Sequence, residues 1–540
     1  MANTFKKVID MLMWRQVPPA PNAHAAAACL ASDLRSGLSR NPFVYQLVSA
    51  TVLNRFNIVT KGWNFVQSPA LAGTFGVGAA MAFAPSLGLV GVIAAGATTS
   101  KVVISTPFPA AVGLNMLANR GGSGEYGFKL RIIDTTAGKT EERYITGNTA
   151  GTTPTISVLS PFSFTPATGA RYEIVAGRVM MLSSGLLAAN AFRSYEVASN
   201  FLSTTLSITN LPATLTTDSA MMVLDEQYTP YDCMPGEGMV LGAFTYDTGV
   251  ETRHALTATA TAAGTLTGQA ALGDAVVLAN EYRNFQIRIV QDLTNPTAVG
   301  QRRIIASHTA GASPVYTLGT AWAVTPSATA KYVIELPNLL LLRTTANTTT
   351  YTYNYGDATV NNGTNSIAAN AWSTTYFGVA GAACAVGGMW APSWGMQPDT
   401  DRNARHSHCH FFRGASATVD TLDIAGSITG TWSSAIAIDG AVTLTTGTSG
   451  AYSPFDNEGR MHYMNIYTAS AINQIYRFDV KNRVLSPFTP TDFLQSGTAA
   501  AGNRMAAYCA TDTADSNKLY DVILLQSHLS TIAQELIPLV

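Results

Sequence analysis

The chain has 540 residues, more than a single core needs, so a large repeat fold or two to three domains is expected. Only 12% of residues are charged against 47% hydrophobic, and 32 Lys and Arg against 33 Asp and Glu leave a net charge of −1. With no long basic run, tight sequence-independent binding to a phosphate backbone is not supported; Thr, Ser, Asn and Gly must supply the polar surface, and they suit strands and turns better than helices.

At the N-terminus, Lys6 and Lys7 precede Val8, Ile9, Met11, Leu12 and Met13, but Asp10 interrupts an apolar run already too short for a signal peptide. The longest uncharged stretch, Gly62 to Ser100, contains Pro69, Pro85 and many glycines, which read as turn punctuation. No membrane segment and cytoplasmic synthesis are expected.

The strongest signal is an internal repeat. Thr149 to Ile174 aligns without gaps on Thr309 to Ile334, with nine of 26 positions identical, among them Pro154 and Pro314, Pro166 and Pro326, and Tyr172 and Tyr332. Upstream, Leu130-Arg131-Ile132-Ile133-Asp134 aligns with Ile287-Arg288-Ile289-Val290-Gln291, and charged strands follow around Arg143 and Arg303. Alternating apolar and polar residues separated by Gly, Pro and Thr clusters predict half-buried strands, with Phe162 and Trp322 as core aromatics. Two β-modules of one fold are therefore expected, serving as structural inserts for protein contacts.

A fainter repeat surrounds them: apolar, acid or amide, apolar, then an aromatic or Leu. Phe56-Asn57-Ile58 leads to Trp63, Tyr195-Glu196-Val197 to Leu202, Tyr353-Asn354-Tyr355 to Trp372, Leu422-Asp423-Ile424 to Trp432, and Phe478-Asp479-Val480 to Leu485. A sixth is read as split, Leu519-Tyr520-Asp521-Val522-Ile523 being closed by Val8-Ile9-Asp10-Met11 and Trp14. Each kernel predicts a strand and the start of a returning strand. One four-stranded sheet cannot bury both faces, so several must stack. The units resemble kelch-like blades. The expected fold is mainly β: a kelch-like β-propeller of about six blades, the terminal blade closed by both chain ends, with two duplicated inserted β-modules. Residues 1–86 are assigned to closing strands and the first blade, 87–177 to module 1, 178–225 to a blade, 226–335 to module 2, and 336–540 to the remaining blades and closing strands. The modules thus fall between blades.

Chemical motifs are sparse. His406, His408 and His410 of the sequence HSHCH would share one face of a strand, a spacing that suits zinc or copper, but no second cluster completes a site and a surface or interface histidine group is expected. Asp399, Asp401 and Asn403 open like an EF-hand, yet Ala404 and His410 occupy positions that need Gly and Glu. Gly73 to Gly78 lacks the register and the following Lys of a phosphate loop, and there is no G-x-S-x-G elbow. Cys29, Cys233, Cys384, Cys409 and Cys509 are scattered without a CxxC pair, so neither a zinc ribbon nor a disulfide framework is indicated. The expectation is a non-enzyme with no catalytic, cofactor-binding or metal-binding residues and no cofactor.

The kernels Arg55 to Ile58 and Arg477 to Val480, the split terminal blade and the β-inserts together resemble the tail nozzle proteins of short-tailed bacteriophages, sometimes called tail tubular protein B. That resemblance implies a virion structural protein made in the host cytoplasm and located in the tail. It would form a homo-oligomeric ring against an adaptor or portal-proximal tail protein, anchor tail fibres, retain the genome and pass DNA without tight binding. A receptor-binding fibre, spike or collar protein is the binding-module alternative, and a propeller hydrolase the enzymatic one.

Overall fold

The computed structural model describes residues 14–21, 29–32, 43–49, 52–65, 75, 79–86, 88–118, 128–183, 185–226, 255–269, 277–392, 407–437, 444–487 and 504–536, with short undescribed stretches inside several of these ranges. Among the described residues the regular structure is β-strand apart from a 3-10 turn at Pro296–Ala298.

The propeller follows from strand order. Among the described residues, five four-stranded antiparallel sheets and a sixth with one extra strand follow one another along the chain. Blade 1 comprises Cys29–Ser32, Phe43–Ser49, Val52–Asn57 and Gly62–Phe65. Blade 2 comprises Ala80–Ala84, Arg178–Leu182, Phe192–Glu196 and Phe201–Leu202. Blade 3 comprises Ser219–Leu224, Leu339–Thr344, Tyr351–Asn354 and Ala371–Ser373. Blade 4 runs Met389–Pro392, His408–Phe412, Thr418–Asp423 and Thr431–Trp432, with Ile436–Ala437 paired to its third strand. Blade 5 comprises Ser449–Ser453, Met461–Tyr467, Asn473–Asp479 and Val484–Pro487. Blade 6 has Arg504–Thr511, Leu519–Gln526 and Ala533–Leu536, and Trp14–Val17 supplies its fourth strand. The first strand of each blade packs against the first strand of the next, and the cycle closes from blade 6 back to blade 1.

All five kernels begin on third strands, and in each the first apolar residue stands directly opposite the later one on the fourth strand: Phe56 and Trp63, Tyr195 and Leu202, Tyr353 and Trp372, Leu422 and Trp432, Phe478 and Leu485. Directly opposed side chains share a face, so each pair presents one apolar unit to a neighbouring blade. Phe192 of blade 2 meets Tyr353 and Trp372 of blade 3 at ring-centroid distances of 4.9 and 5.2 Å. Phe412 of blade 4 meets Phe478 of blade 5 at 4.8 Å.

The sixth kernel requires a correction. Leu519 to Ile523 lies on the second strand of blade 6, and the counterpart of the kernel pair is Leu536 opposite Trp14. The chain ends do close one sheet, but through its outer two strands; Val8 to Met11 lies outside the described residues.

The modules do not fall between whole blades. Ala80–Ala84, expected within the first-blade segment 1–86, is the innermost strand of blade 2 and pairs with Arg178–Leu182; module 1 interrupts the blade between these strands. Module 2 likewise separates Ser219–Leu224 from Leu339–Thr344 in blade 3. The sheet tolerates this because the two strands stay paired whatever the length of their connection. Gly177 returns the chain to blade 2 at φ 83, where a Cβ would come within 2.5 Å of the Phe83 ring, so only glycine fits.

Each module is a six-stranded antiparallel barrel with the same order of pairing. In module 1, Val90–Val92 pairs with Arg171–Val175, then follow Lys129–Asp134, Lys139–Asn148, Thr155–Val158 and Lys101–Val103, and a bridge from Ile93 to Ile104 closes the circle. In module 2 the circle runs Leu256–Ala262, Lys331–Glu335, Gln286–Gln291, Arg302–His308, Val315–Leu318 and Thr265–Gly268, back to Leu256–Ala262. The copies differ by one residue at a bulge between Ile289 and Gln291. The true counterpart of Asp134 is therefore Asp292 rather than Gln291: Asp134 takes the amides of Thr136, Ala137 and Ala167, and Asp292 those of Thr294, Asn295 and Ser327.

Candidate functional site

The two barrels meet edge to edge beside blade 3. Lys139 pairs with Gln291, and Asp292 donates its amide to the Gly138 carbonyl at 2.9 Å. The chain exits toward both modules are pinned together: Asp225, just after the inner strand of blade 3, accepts the Ser86 amide at 3.1 Å, the Ser86 hydroxyl at 2.8 Å and the Tyr355 hydroxyl at 2.6 Å.

Above this pin lies a buried ion network spanning module 1, module 2 and blade 3. Arg131 contacts Glu142 at 2.7 Å, Glu173 at 3.0 Å and Glu226 at 2.5 Å. Arg302 reaches Glu226 at 3.2 Å and Glu173 at 3.8 Å. Arg288 grips Glu335 with two contacts of 2.9 Å, Lys129 holds Glu142 at 3.0 Å, and Arg171 bridges Glu173 and Asp357. Burial disfavours the Glu226 carboxylate, but Arg131, Arg302 and Arg288 outweigh it and hold its pKa well below the usual carboxylate range. Burial likewise opposes the charge on Asp357, and Arg302 and Arg171 overcome it, so its pKa is also lowered. These carboxylates are fixed counter-ions. A general acid or base needs a proton it exchanges near the working pH, which Glu226 does not offer.

Beside the network a cleft of about 380 Å³ opens between module 2 and the loops of blade 3, lined among others by Arg302, Arg303, Asn338, Asn354, Asp357 and Ser366. Its amides are used internally: Asn354 Nδ2 donates to the Ala358 and Ile367 carbonyls, and Asn338 Oδ1 accepts the Glu226 amide.

The histidine group sits elsewhere. His408–Phe412 is the second strand of blade 4, so His408 and His410 point one way and Cys409 the other. Against the surface placement expected for this group, His410 is buried between blades 4 and 5, with Nδ1 3.0 Å from the Thr421 hydroxyl and its ring 6.2 Å from Phe478. His408 is half-buried, with Nδ1 3.2 Å from the Ser407 hydroxyl and Nε2 4.0 Å from Asp423. Burial, then Asp423, raises the Cys409 thiol pKa well above its ordinary value. His406, the Asp399, Asp401 and Asn403 turn, and the glycines from Gly73 to Gly78 lie outside the described residues. Among the described residues no group of three His, Cys, Asp or Glu side chains is placed to hold a metal ion, and no helix is long and apolar enough to cross a membrane. Cys384 and Cys409 are buried, and Cys29 is half-buried.

Sequence reading did not find the ion network. Its signal was the concentration of charge in Arg131, Glu141, Glu142, Arg143, Arg302 and Arg303 in a chain only 12% charged. Charge kept on strands of a charge-poor protein marks buried pairing.

No family model and no curated protein matches the chain. Among solved structures, a Bacteroides thetaiotaomicron protein of unknown function is 9% identical with a TM-score of 0.21, covering 81% of this chain and 94% of its own. Sqt1 of Saccharomyces cerevisiae is 9% identical with a TM-score of 0.26, covering 98% and 99%. The NanB sialidase of Streptococcus pneumoniae is 9% identical with a TM-score of 0.23, covering 95% and 82%. Likenesses this low carry no functional argument, and the propeller rests on its own strand order.

Proposed function

We propose that this chain is a virion structural protein of a tailed phage, a nozzle subunit whose copies form a ring that continues the DNA channel, retains the genome and anchors fibres. The observation that carries this reading is the joint: two copies of one barrel, locked side by side to a closed propeller by buried, mutually neutralised charges. That arrangement suits a rigid block with paired arms for contacts to an adjacent ring or a fibre. The low overall charge, 12%, suits a surface largely covered by neighbours. A net charge of −1 suits a wall along which DNA moves without being gripped.

The reading carries a geometric condition. Every residue of Ala80–Ala84 is buried, as are Met389, Trp390, Ala391, Met505, Ala506, Ala507 and Tyr508 on other inner strands. On this reading the DNA path runs between copies in the ring rather than through the centre of one propeller. Each contact between copies should bury at least ~1,000 Å².

The test is imaging of virions made without this protein. Particles that lack the distal tail and leak DNA are expected. DNA-full particles with complete tails that fail to adsorb would identify a receptor-binding fibre instead.

A further inference from the structure

The duplicated modules hold one loop in the same way with different chemistry. In module 1, Asn148 Oδ1 accepts the Leu117 amide at 2.9 Å, and Nδ2 donates to the Thr149 carbonyl at 3.2 Å. In module 2 the same place is taken by His308: Nε2 accepts the Tyr282 amide at 2.9 Å, and Nδ1 lies 2.9 Å from the Thr309 carbonyl. Asn115 and Asn280, at φ 57 and 63, complete the match, their Oδ1 atoms accepting the amides of Asn148 and His308 at 3.2 and 2.9 Å. A carbonyl only accepts, so His308 Nδ1 carries the hydrogen and Nε2 is bare, which makes the imidazole neutral and fixes its tautomer.

The loop that His308 holds also joins module 2 to blade 4. Immediately after Tyr282, Arg283 Nη1 donates to the Ala425 and Gly426 carbonyls at 3.4 and 3.2 Å. Asn284 Nδ2 donates to the Ile424 and Ser427 carbonyls at 2.6 and 3.1 Å. These four carbonyls belong to the turn between the third and fourth strands of blade 4.

We propose that His308 is an acid-sensing pin: a proton on Nε2 removes the acceptor of the Tyr282 amide, and the segment around 280–285 lets go of blade 4, while the corresponding loop of module 1, held by Asn148, stays in place. The inference concerns module docking and stands independently of the nozzle reading. Packed around the ring are Tyr282 and Tyr316, with centroids at 5.9 and 5.3 Å, and the charges that act on it are Glu281 and Arg283. Burial lowers the His308 pKa; the Thr309 carbonyl and Glu281 oppose this, and Arg283 reinforces it. The imidazole is thus neutral when docked and titrates near 6.5 when released. Docking is complete above that value and weakens as pH falls below it toward the lowered docked value.

Hydrogen exchange on the full-length protein at pH 7.5 and 5.0, corrected for intrinsic rates, tests this. Amides of 280–285 should lose at least about tenfold protection at pH 5.0, while those of 115–118 hold theirs. His308→Asn, which installs the amide used in module 1, should keep 280–285 protected at both pH values. An equal response in wild type and His308→Asn, or no response in wild type, overturns the proposal. Nitrogen-15 shifts of the wild-type His308 ring supply a readout that needs no variant. A neutral Nδ1–H ring at pH 7.5 that gains its second proton as the loop opens is expected, and an Nε2–H ring at pH 7.5 overturns the pin.

Discussion

Tyr353 stands directly opposite Trp372 across the third and fourth strands of blade 3, their ring centroids 5.0 Å apart, and Phe192 of blade 2 closes on both. This cluster shows how a short kernel, repeated without a strict consensus, joins one blade to the next. The Trp372 indole also donates to the Ser207 carbonyl at 3.0 Å. Trp372→Ala should therefore cost about 3–5 kcal/mol in urea unfolding, the usual range for removing a buried aromatic. A cost below about 1 kcal/mol would show that the pair does not hold the blades together.

Glu226→Gln tests the joint. It removes one of the two buried carboxylates, Glu226 and Glu173, that Arg131 and Arg302 share, and should cost about 3–5 kcal/mol at pH 7. The sign with pH follows from the lowered Glu226 pKa: its contribution is complete above the ordinary value of 4.5 and is lost as pH falls below it. The stability gap between wild type and Glu226→Gln should therefore narrow in acid. A gap constant from pH 7 to pH 3 would remove Glu226 from the lock.

Closure of the ring predicts an effect of truncation. Removing residues 1–17 takes away the strand Trp14–Val17 and exposes the edge of Ala533–Leu536. The melting temperature should fall by several degrees, with increased self-association. An unchanged melting curve would mean that the strand contributes nothing to the ring.

Gly138 tests the contact between modules. It sits at φ 66, and a Cβ there would come within 2.2 Å of the Asp292 carbonyl oxygen. Gly138→Ala should destabilise by about 2 kcal/mol or more, combining backbone strain with a displaced neighbour. Gly264→Ala, where a Cβ meets nothing within 4 Å, serves as the control.

Purified protein should carry well under one zinc or copper per chain by elemental analysis. His410 already engages the Thr421 hydroxyl through Nδ1 inside the blade, and Cys409 faces the opposite side of the strand. Stoichiometric metal, lost on replacing His408 and His410, would revive the hydrolase alternative.

Some of this architecture was written locally in the chain. A third strand needs an apolar residue aimed at the neighbouring blade and another opposite it after a turn, so Phe56 with Trp63 and Phe478 with Leu485 were legible from spacing alone. The duplicated barrels were legible for the same reason, since Pro154 and Pro314, and Tyr172 and Tyr332, serve identical positions in two copies. Sequence also placed Trp14 in the closing sheet, because an aromatic that returns against a kernel must find one. Tertiary structure alone decided where the inserts leave their blades: the pairing of Ala80–Ala84 with Arg178–Leu182 joins strands separated by an entire barrel, and nothing near either strand records it. It also decided that Arg131 and Glu226, far apart in the chain, neutralise one another, and that His308 inherits the role of Asn148. Spacing encodes contacts within a hairpin, where the turn fixes the register. Contacts across an insert depend on how whole sheets pack, and buried charges find their partners only once that packing has removed them from water.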